Sequence, residues 1–285
     1  MSQPPREPPS DPNALAAQNT AHAAPVAPGL RADAADAAPI LRLDDVSKDF
    51  LGFSAVRHLT LDVKPGTIHA LIGPNGAGKT TVFNLATKFL QPTTGRILFK
   101  GQDITRTEPA AVARLGMVRS FQISAVFGQL TALENVRIAL QRKRSDGFYF
   151  WRSDRILHEM DDRARALLAE VGLESYAGIK AIEMSYGRRR ALELATTLAL
   201  DPELMLLDEP MSGLGQEDVG RIAALIRASA ASRTILMVEH NLSVVADLSD
   251  RITVLARGEI LADGRYADLV KNPAVIEAYL GSDHG

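Results

Sequence analysis

Residues Gly73-Pro74-Asn75-Gly76-Ala77-Gly78-Lys79-Thr80-Thr81 follow at once on the apolar run Ile68-His69-Ala70-Leu71-Ile72. Glycines at 73, 76 and 78 let successive backbone N–H groups turn inward on an anion, where a Cβ would obstruct them. The run ahead reads as a buried strand. The residues from Thr80 read as a helix whose N-terminal dipole adds positive potential at the same point. Lys79 is placed to reach the β- and γ-phosphate oxygens of a nucleoside triphosphate, and the Thr80 hydroxyl to bind a Mg²⁺ that bridges them. A merely flexible glycine turn would have to match every position of this pattern by chance behind a buried strand.

Two further sites for chemistry stand at the ends of apolar runs. Asp208-Glu209 follows Leu204-Met205-Leu206-Leu207, and Glu239-His240 follows Ile235-Leu236-Met237-Val238. Both runs have the length and character of strands buried on both faces of a parallel sheet. Ligands of open α/β sheets lie beyond the carboxyl ends of the strands, which is where these charged pairs fall. Asp208 can hold Mg²⁺ directly or through water, and Glu209 can polarise a water that attacks the γ-phosphate. Apolar strands also end in carboxylates that are only solvated; Lys79 upstream favours the metal-plus-base reading.

The elements that must position these residues are legible in outline. Leu41, Leu43 and Val46 lead to Phe50, and Leu59, Leu61 and Val63 alternate up to the turn Lys64-Pro65-Gly66, an antiparallel edge ahead of the phosphate loop. After the loop the pattern predicts a helix to about Phe89, a turn from Pro92 to Gly95 and a strand from Arg96 to Phe99. Pro109 opens a further helix that stops at Gly116, and Met117-Val118 starts a strand. Thr131-Ala132-Leu133-Glu134 is a capping box for a helix to about Gln141. The stretch from Arg142 to Arg152, with Phe148, Tyr149, Phe150 and Trp151, breaks the periodicity and reads as an insert. Ser153 then caps a helix carrying Ile156, Leu157, Met160, Ala164, Leu167, Leu168 and Val171, stopped at Gly172. The middle of the chain is therefore helical, between two α/β portions, and no second phosphate loop repeats the first.

With 285 residues, 46% of them hydrophobic, the chain can bury a full core, and a net charge of -2 gives no electrostatic reason to expect nucleic acid. The absence of cysteine excludes disulfides and thiolate metal sites. No stretch reaches the roughly 18 uninterrupted apolar residues of a membrane span, so a membrane role would come through a partner. Residues 1–39 scatter prolines among alanines and polar residues and read as a disordered tail; Arg6 and Glu7 among prolines, with no apolar run behind them, argue against a secretory signal.

Between the phosphate loop and Asp208 lies Met184-Ser185-Tyr186-Gly187-Arg188-Arg189-Arg190. With this segment in place the chain resembles, from about Leu41 to Leu280, the ATP-binding subunits of ABC transporters. The resemblance implies an α/β fold, a P-loop NTPase of ABC type: a RecA-like mixed sheet with an antiparallel β subdomain and an inserted helical subdomain. The ATP-binding domain would span 40–285, with the helical subdomain at about 124–200 and a C-terminal helix at about 273–280. It further implies that ATP and Mg²⁺ bind through residues Gly73 to Thr81. Phe50 would stack on adenine. Gln122, in Ser120-Phe121-Gln122, would be the Q-loop glutamine, near metal and attacking water. Glu209 would be the catalytic carboxylate, His240 the switch histidine and Ser212-Gly213-Leu214 the D-loop.

The resemblance also implies a head-to-tail dimer with two ATP molecules between the chains. Ser185 and the Gly187 amide would then address the γ-phosphate held by the opposite subunit, at a helix N-terminus. Arg188, Arg189 and Arg190 fit this in part, since cations at a helix start cost roughly 0.3–1 kcal/mol each unless an anion is close; a solvated basic face is the alternative. Three residues depart from the family pattern: Tyr186 and Arg188 in the signature, and Gly215 where the D-loop commonly carries Asp or Asn.

The narrower resemblance is to the branched-chain amino-acid importers. It rests on Ser185-Tyr186-Gly187, on Val118-Arg119-Ser120-Phe121-Gln122, on the aromatic insert near Phe148 and on the ending Asn272-Pro273-Ala274-Val275-Ile276-Glu277-Ala278-Tyr279-Leu280-Gly281. Urea and short-amide importers share much of this pattern. The implied partners are two membrane permeases, a second ATP-binding subunit (a paralogue or a second copy) and, indirectly, a solute-binding protein, with the chain peripheral on the cytoplasmic face of the inner membrane. A soluble ABC ATPase acting on DNA or ribosomes would usually carry two cassettes or a long coiled coil. A small-molecule kinase or a GTPase would leave the signature and His240 unexplained, and no Asn-Lys-x-Asp guanine-reading motif is present. A non-hydrolysing regulatory cassette stays open to an ATPase assay. The transported solute is not written in this chain.

Overall fold

The computed structural model describes residues 37–120, 126–143 and 154–280. The chain starts with two long antiparallel strands, β1 (Leu41–Phe50) and β2 (Phe53–Val63), joined through Leu51 and Gly52, both at positive φ. Of the 1–39 segment only residues 37–39 are described; the Ala37 carbonyl accepts from Lys64 Nζ at 2.5 Å. After β3 (Ile68–Ile72) and helix α1 (Lys79–Ala86) come β4 (Thr94–Phe99) and the short β5 (Gln102–Asp103), which complete a four-stranded sheet in the order β2-β1-β4-β5. Helix α1 stops three residues before the boundary expected at Phe89. The Thr87 hydroxyl bonds back to the Phe83 carbonyl at 2.8 Å, and Lys88 turns into the left-handed region at φ 65°, which closes the last turn.

Helix α2 (Pro109–Arg114) leads into β6 (Met117–Ser120), and then α3 (Ala132–Lys143), α4 (Asp154–Glu170) and α5 (Tyr186–Ala199) pack mutually as a helical layer. The capping box at the start of α3 forms in both directions: Glu134 N–H donates to Thr131 Oγ1 at 3.2 Å, and Thr131 N–H donates to Glu134 Oε2 at 2.7 Å. The remaining elements are β7 (Leu204–Asp208), α6 (Gln216–Ser229), β8 (Thr234–Val238), α7 (Leu242–Leu248), β9 (Arg251–Ala256), β10 (Glu259–Gly264), α8 (Tyr266–Leu269) and α9 (Pro273–Leu280). The aromatic insert around Phe148, and Ser153, lie outside the described residues.

The second sheet runs β10-β9-β3-β8-β7-β6, parallel except for the β9–β10 hairpin. Its central strands are buried on both faces, and alternate residues serve two cores. Ile68, Ala70, Ile72, Met205, Leu207, Ile235 and Met237 face the core shared with the helices, while Leu71, Leu204, Leu206, Leu236 and Val238 face the core shared with β1, β2, β4 and α1. Each of the larger side chains, Ala70 aside, contributes about 1.5–3 kcal/mol on burial, so these strands are held from both sides and their carboxyl ends form a fixed row.

Candidate functional site

The phosphate loop leaves β3 at Gly73 (φ 150°) and passes through Gly76 (φ 77°) and Gly78 (φ 100°) into α1. A Cβ at Gly73 would run into the Leu255 carbonyl, and one at Gly78 would come within 2.8 Å of the Ala55 oxygen. The loop is thus pinched between β2 and β9, and glycine is required for space as well as for dihedral angle. Gly258 N–H donates to the Ala77 carbonyl at 3.0 Å, and Ala77 N–H to the Pro74 carbonyl at 3.2 Å. Lys79 Nζ lies over the same turn, donating to the carbonyls of Gly73 at 2.6 Å and Pro74 at 2.9 Å. Burial holds the Lys79 ammonium below its usual pKa, and the Glu209 charge works in the opposite direction. Asn75, Gly76 and Thr80 are exposed at the rim; Pro74 and Thr81 are half-buried.

The neighbouring strands deliver the charged residues to the same edge. Leu71 pairs with Val238 and Val238 with Asp208, so Lys79, Glu239-His240 and Asp208-Glu209 follow three adjacent strands. Asp208 is buried, and its Oδ2 accepts from Arg119 Nη2 at 2.5 Å. Glu209 turns sharply out of β7, at φ 45° in the left-handed region that non-glycine residues seldom adopt. That turn is held by its own N–H bonded to the Val238 carbonyl at 2.9 Å, and by its carbonyl accepting from Arg190 Nη2 at 3.2 Å and from Ser212 N–H at 3.0 Å. His240 is exposed.

Glu239 is nearly fully buried at 1% exposure, and its carboxylate accepts from Met211 N–H at 2.9 Å, His240 N–H at 3.0 Å and Asn241 N–H at 3.2 Å. It therefore ties the chain after Glu209 to the chain carrying His240. Sequence reading located Glu239 at the strand end and gave it no task; a carboxylate closing an all-apolar run was the available signal.

The signature segment stands apart from this row, at the start of α5. Exposed Ser185 is the N-cap, its hydroxyl accepting from Arg188 N–H at 3.4 Å. Gly187 is buried, and a Cβ there would run into the Asp218 carboxylate from α6. The Tyr186 hydroxyl donates to the Ser212 carbonyl at 3.2 Å, and its ring would lie 3.4 Å from a Cβ on Gly213. Thus the residue that departs most visibly from the family pattern touches the Ser212-Gly213 turn. The three arginines do not gather on one anion site: Arg188 lies 4.3 Å over the Tyr176 ring, Arg189 5.9 Å from that of Tyr186, and Arg190 pairs with Glu193 at 2.7 Å.

Phe50 sits at the β1–β2 hairpin, half exposed, with Lys48 Nζ 5.1 Å over its ring. Gln122 lies outside the described residues. Among the described residues no group of three or more His, Cys, Asp or Glu side chains gathers to hold a metal. A set as small as the Thr80 hydroxyl and the Asp208 carboxylate would suit Mg²⁺, an ion that completes its octahedron with water and substrate phosphates.

Residues 56–212 match the family model described as ABC transporter, and residues 259–285 the one described as branched-chain amino acid ATP-binding cassette transporter. The chain is 37% identical over 253 residues to the high-affinity branched-chain amino acid transport ATP-binding protein LivG of Escherichia coli, covering 85% of this chain and 98% of the relative. It is 38% identical to the corresponding protein BraF of Pseudomonas aeruginosa over the same shares. Among solved structures, a nucleotide-free ATP-binding cassette from an ABC transporter superposes with a TM-score of 0.74 at 31% identity, over 84% of this chain and 98% of that one. A dimeric cassette bound to ADP and Pi in a post-hydrolysis state gives 0.68 at 25% identity, over 79% and 98%.

Proposed function

Because this chain belongs to the ABC transporter ATP-binding family, we propose that it is the ATP-hydrolysing subunit that powers import of branched-chain or other hydrophobic amino acids through separate membrane permeases. The observation that carries the hydrolytic part is the row on one sheet edge: Asp208-Glu209 and His240 at the ends of two buried strands, and Lys79 beyond the loop that leaves the third, adjacent one. The amino-acid part is supported by the relatives' transport role and by the C-terminal match over 259–285.

In this reading Lys79 and the loop N–H groups bind the β- and γ-phosphates, and Phe50 holds the adenine. Glu209 orients and deprotonates the attacking water, and His240 faces the γ-phosphate. Thr80, Asp208 and Gln122 would hold Mg²⁺, which supplies charge neutralisation to the phosphates. Ser185 and the Gly187 amide serve the γ-phosphate held by a second ATP-binding subunit in a head-to-tail pair, and we assign that subunit to a paralogue. A groove of about 1430 Å³ between α2 with β6 and helices α3 and α5, lined by Phe89, Arg119, Phe127, Asn135, Ile138 and Glu193, supports docking of a permease helix there. Among the described residues no helix is long and apolar enough to cross a membrane, so attachment at the cytoplasmic face would come through the permeases.

The test is uptake of labelled leucine, and separately of urea, in source cells carrying the native chain or Lys79→Ala. Loss of leucine uptake alone in the mutant is the expected result. Loss of urea uptake alone would move the assignment to a short-amide importer, and independence of both from Lys79 would refute the amino-acid reading.

A further inference from the structure

Beside Asp208 stands a side chain that the mechanism above leaves unused. Arg119 lies on β6, three residues ahead of Gln122, where β6 pairs in parallel with β7 through Arg119 with Leu206 and Ser120 with Leu207. Its side chain is only 13% exposed. Nη2 donates to Asp208 Oδ2 at 2.5 Å, and Nη1 donates to Asn84 Oδ1 on α1 at 2.6 Å. The guanidinium lies 4.9 Å from the Phe83 ring and 5.5 Å from the Phe89 ring. One planar group therefore joins β6, the end of the strand that carries Asp208, and the helix that the phosphate loop opens.

A guanidinium bonded on two arms and stacked on aromatic rings has no free rotation left, so the direction of the N–H aimed at Asp208 is set by the surroundings. A carboxylate has two oxygens, and committing Oδ2 to Arg119 fixes its plane. We propose that Arg119 is a positioning residue for metal binding: it holds the Asp208 carboxylate by one oxygen so that the other is kept for Mg²⁺, and it makes β6 and the metal-binding carboxylate one mechanical unit. Its action is geometric. A lysine would supply the same charge, but as a point donor that can neither fork between Asn84 and Asp208 nor stack in the same way.

The inference rests on the reading of Asp208 as a Mg²⁺ ligand, and the experiment separates the two. Binding of a fluorescent ATP analogue to the purified full chain is measured in EDTA, then against Mg²⁺ at fixed nucleotide, for native protein, Arg119→Lys, Arg119→Met, Asn84→Ala and Asp208→Asn. The expected result is that both Arg119 variants raise the Mg²⁺ half-saturation about tenfold or more, as loss of a residue orienting a metal ligand does. Their nucleotide affinity in EDTA stays close to native, and Asn84→Ala shifts the Mg²⁺ response less, in the same direction. Native Mg²⁺ half-saturation in both Arg119 variants, or full rescue by lysine, would overturn the proposal. If the Arg119 variants do not fold, Asn84→Ala decides: an unchanged Mg²⁺ response counts against positioning. Should Asp208→Asn itself leave the Mg²⁺ response unchanged, the metal assignment of Asp208 falls, and the role given to Arg119 falls with it.

Discussion

In the function proposed above, the sheet edge and the start of α5 serve as two halves of one reaction centre, and they are built on different principles. The edge is anchored from below: β3, β7 and β8 are buried on both faces, and Asp208, Glu209 and Glu239 at their ends, with Lys79 beyond the loop after β3, have their backbone or side chains already bonded. The signature end is anchored from the side. Ser185 is exposed, Gly187 rests on the Asp218 carboxylate, and Tyr186 reaches to the Ser212 turn. On that proposal the first half binds nucleotide by itself. On the same proposal the second presents a helix N-terminus to an anion brought by another subunit, so its value lies in where α5 points rather than in how firmly it is held.

That contrast can be broken first on the anchored side. Lys79→Ala should weaken ATP binding about 10- to 100-fold, the worth of a charge-assisted contact of about 1.5–3 kcal/mol, with the thermal midpoint little changed, by equilibrium nucleotide titration. On the other side, Gly187→Ala should leave nucleotide binding to the phosphate loop within about twofold of native while destabilising the fold by about 1–3 kcal/mol, because the new methyl overpacks against Asp218. Chemical denaturation and nucleotide titration of the same preparation read both quantities. Equal loss of ATP binding in the two variants would erase the distinction between the halves.

Acid sharpens the comparison. His69 lies inside β3 at 0% exposure, with Nε2 2.8 Å from Thr253 Oγ1. Burial drives its pKa down to about 4, with the Asp263 charge opposing and Arg251 reinforcing the shift. The unfolded chain takes up this proton below its ordinary value near 6.5 while the native state does not, so stability falls as pH drops from about 6.5 towards 4. At pH 5 the loss relative to pH 7 should be about 2 kcal/mol, and His69→Gln should remove that part of the slope in denaturation curves. Tyr186→Phe is the smallest change: loss of its bond to the Ser212 carbonyl should cost about 0.5–1 kcal/mol, visible in the thermal midpoint.

The parts legible in the sequence are those whose meaning is local. Glycine spacing before Lys79, two all-apolar runs and the Thr131–Glu134 box each announce a backbone conformation within a few residues. The β9–β10 hairpin was not legible, because its turn uses Arg257-Gly258, both at positive φ (51° and 83°), where Asn-Gly would be the recognisable pair. Nor were the contacts that bridge distant segments: Arg119 with Asp208, Glu239 with Met211, Gly187 against Asp218. Each joins residues from different elements, so no periodicity or motif records it. The departure at Tyr186 was visible as a mismatch, yet its consequence, contact with the Ser212-Gly213 turn, needed coordinates.

The most direct test of the account is the hydrolysis rate of Glu209→Gln in the transporter complex purified through this chain, measured alongside ATP retained by the protein. ATP binding is expected to stay close to native with hydrolysis reduced by about 10²–10⁴-fold, the usual worth of a positioned general base. Hydrolysis at the native rate in that variant would contradict the assignment of Glu209 and, with it, the chemistry proposed for the sheet edge.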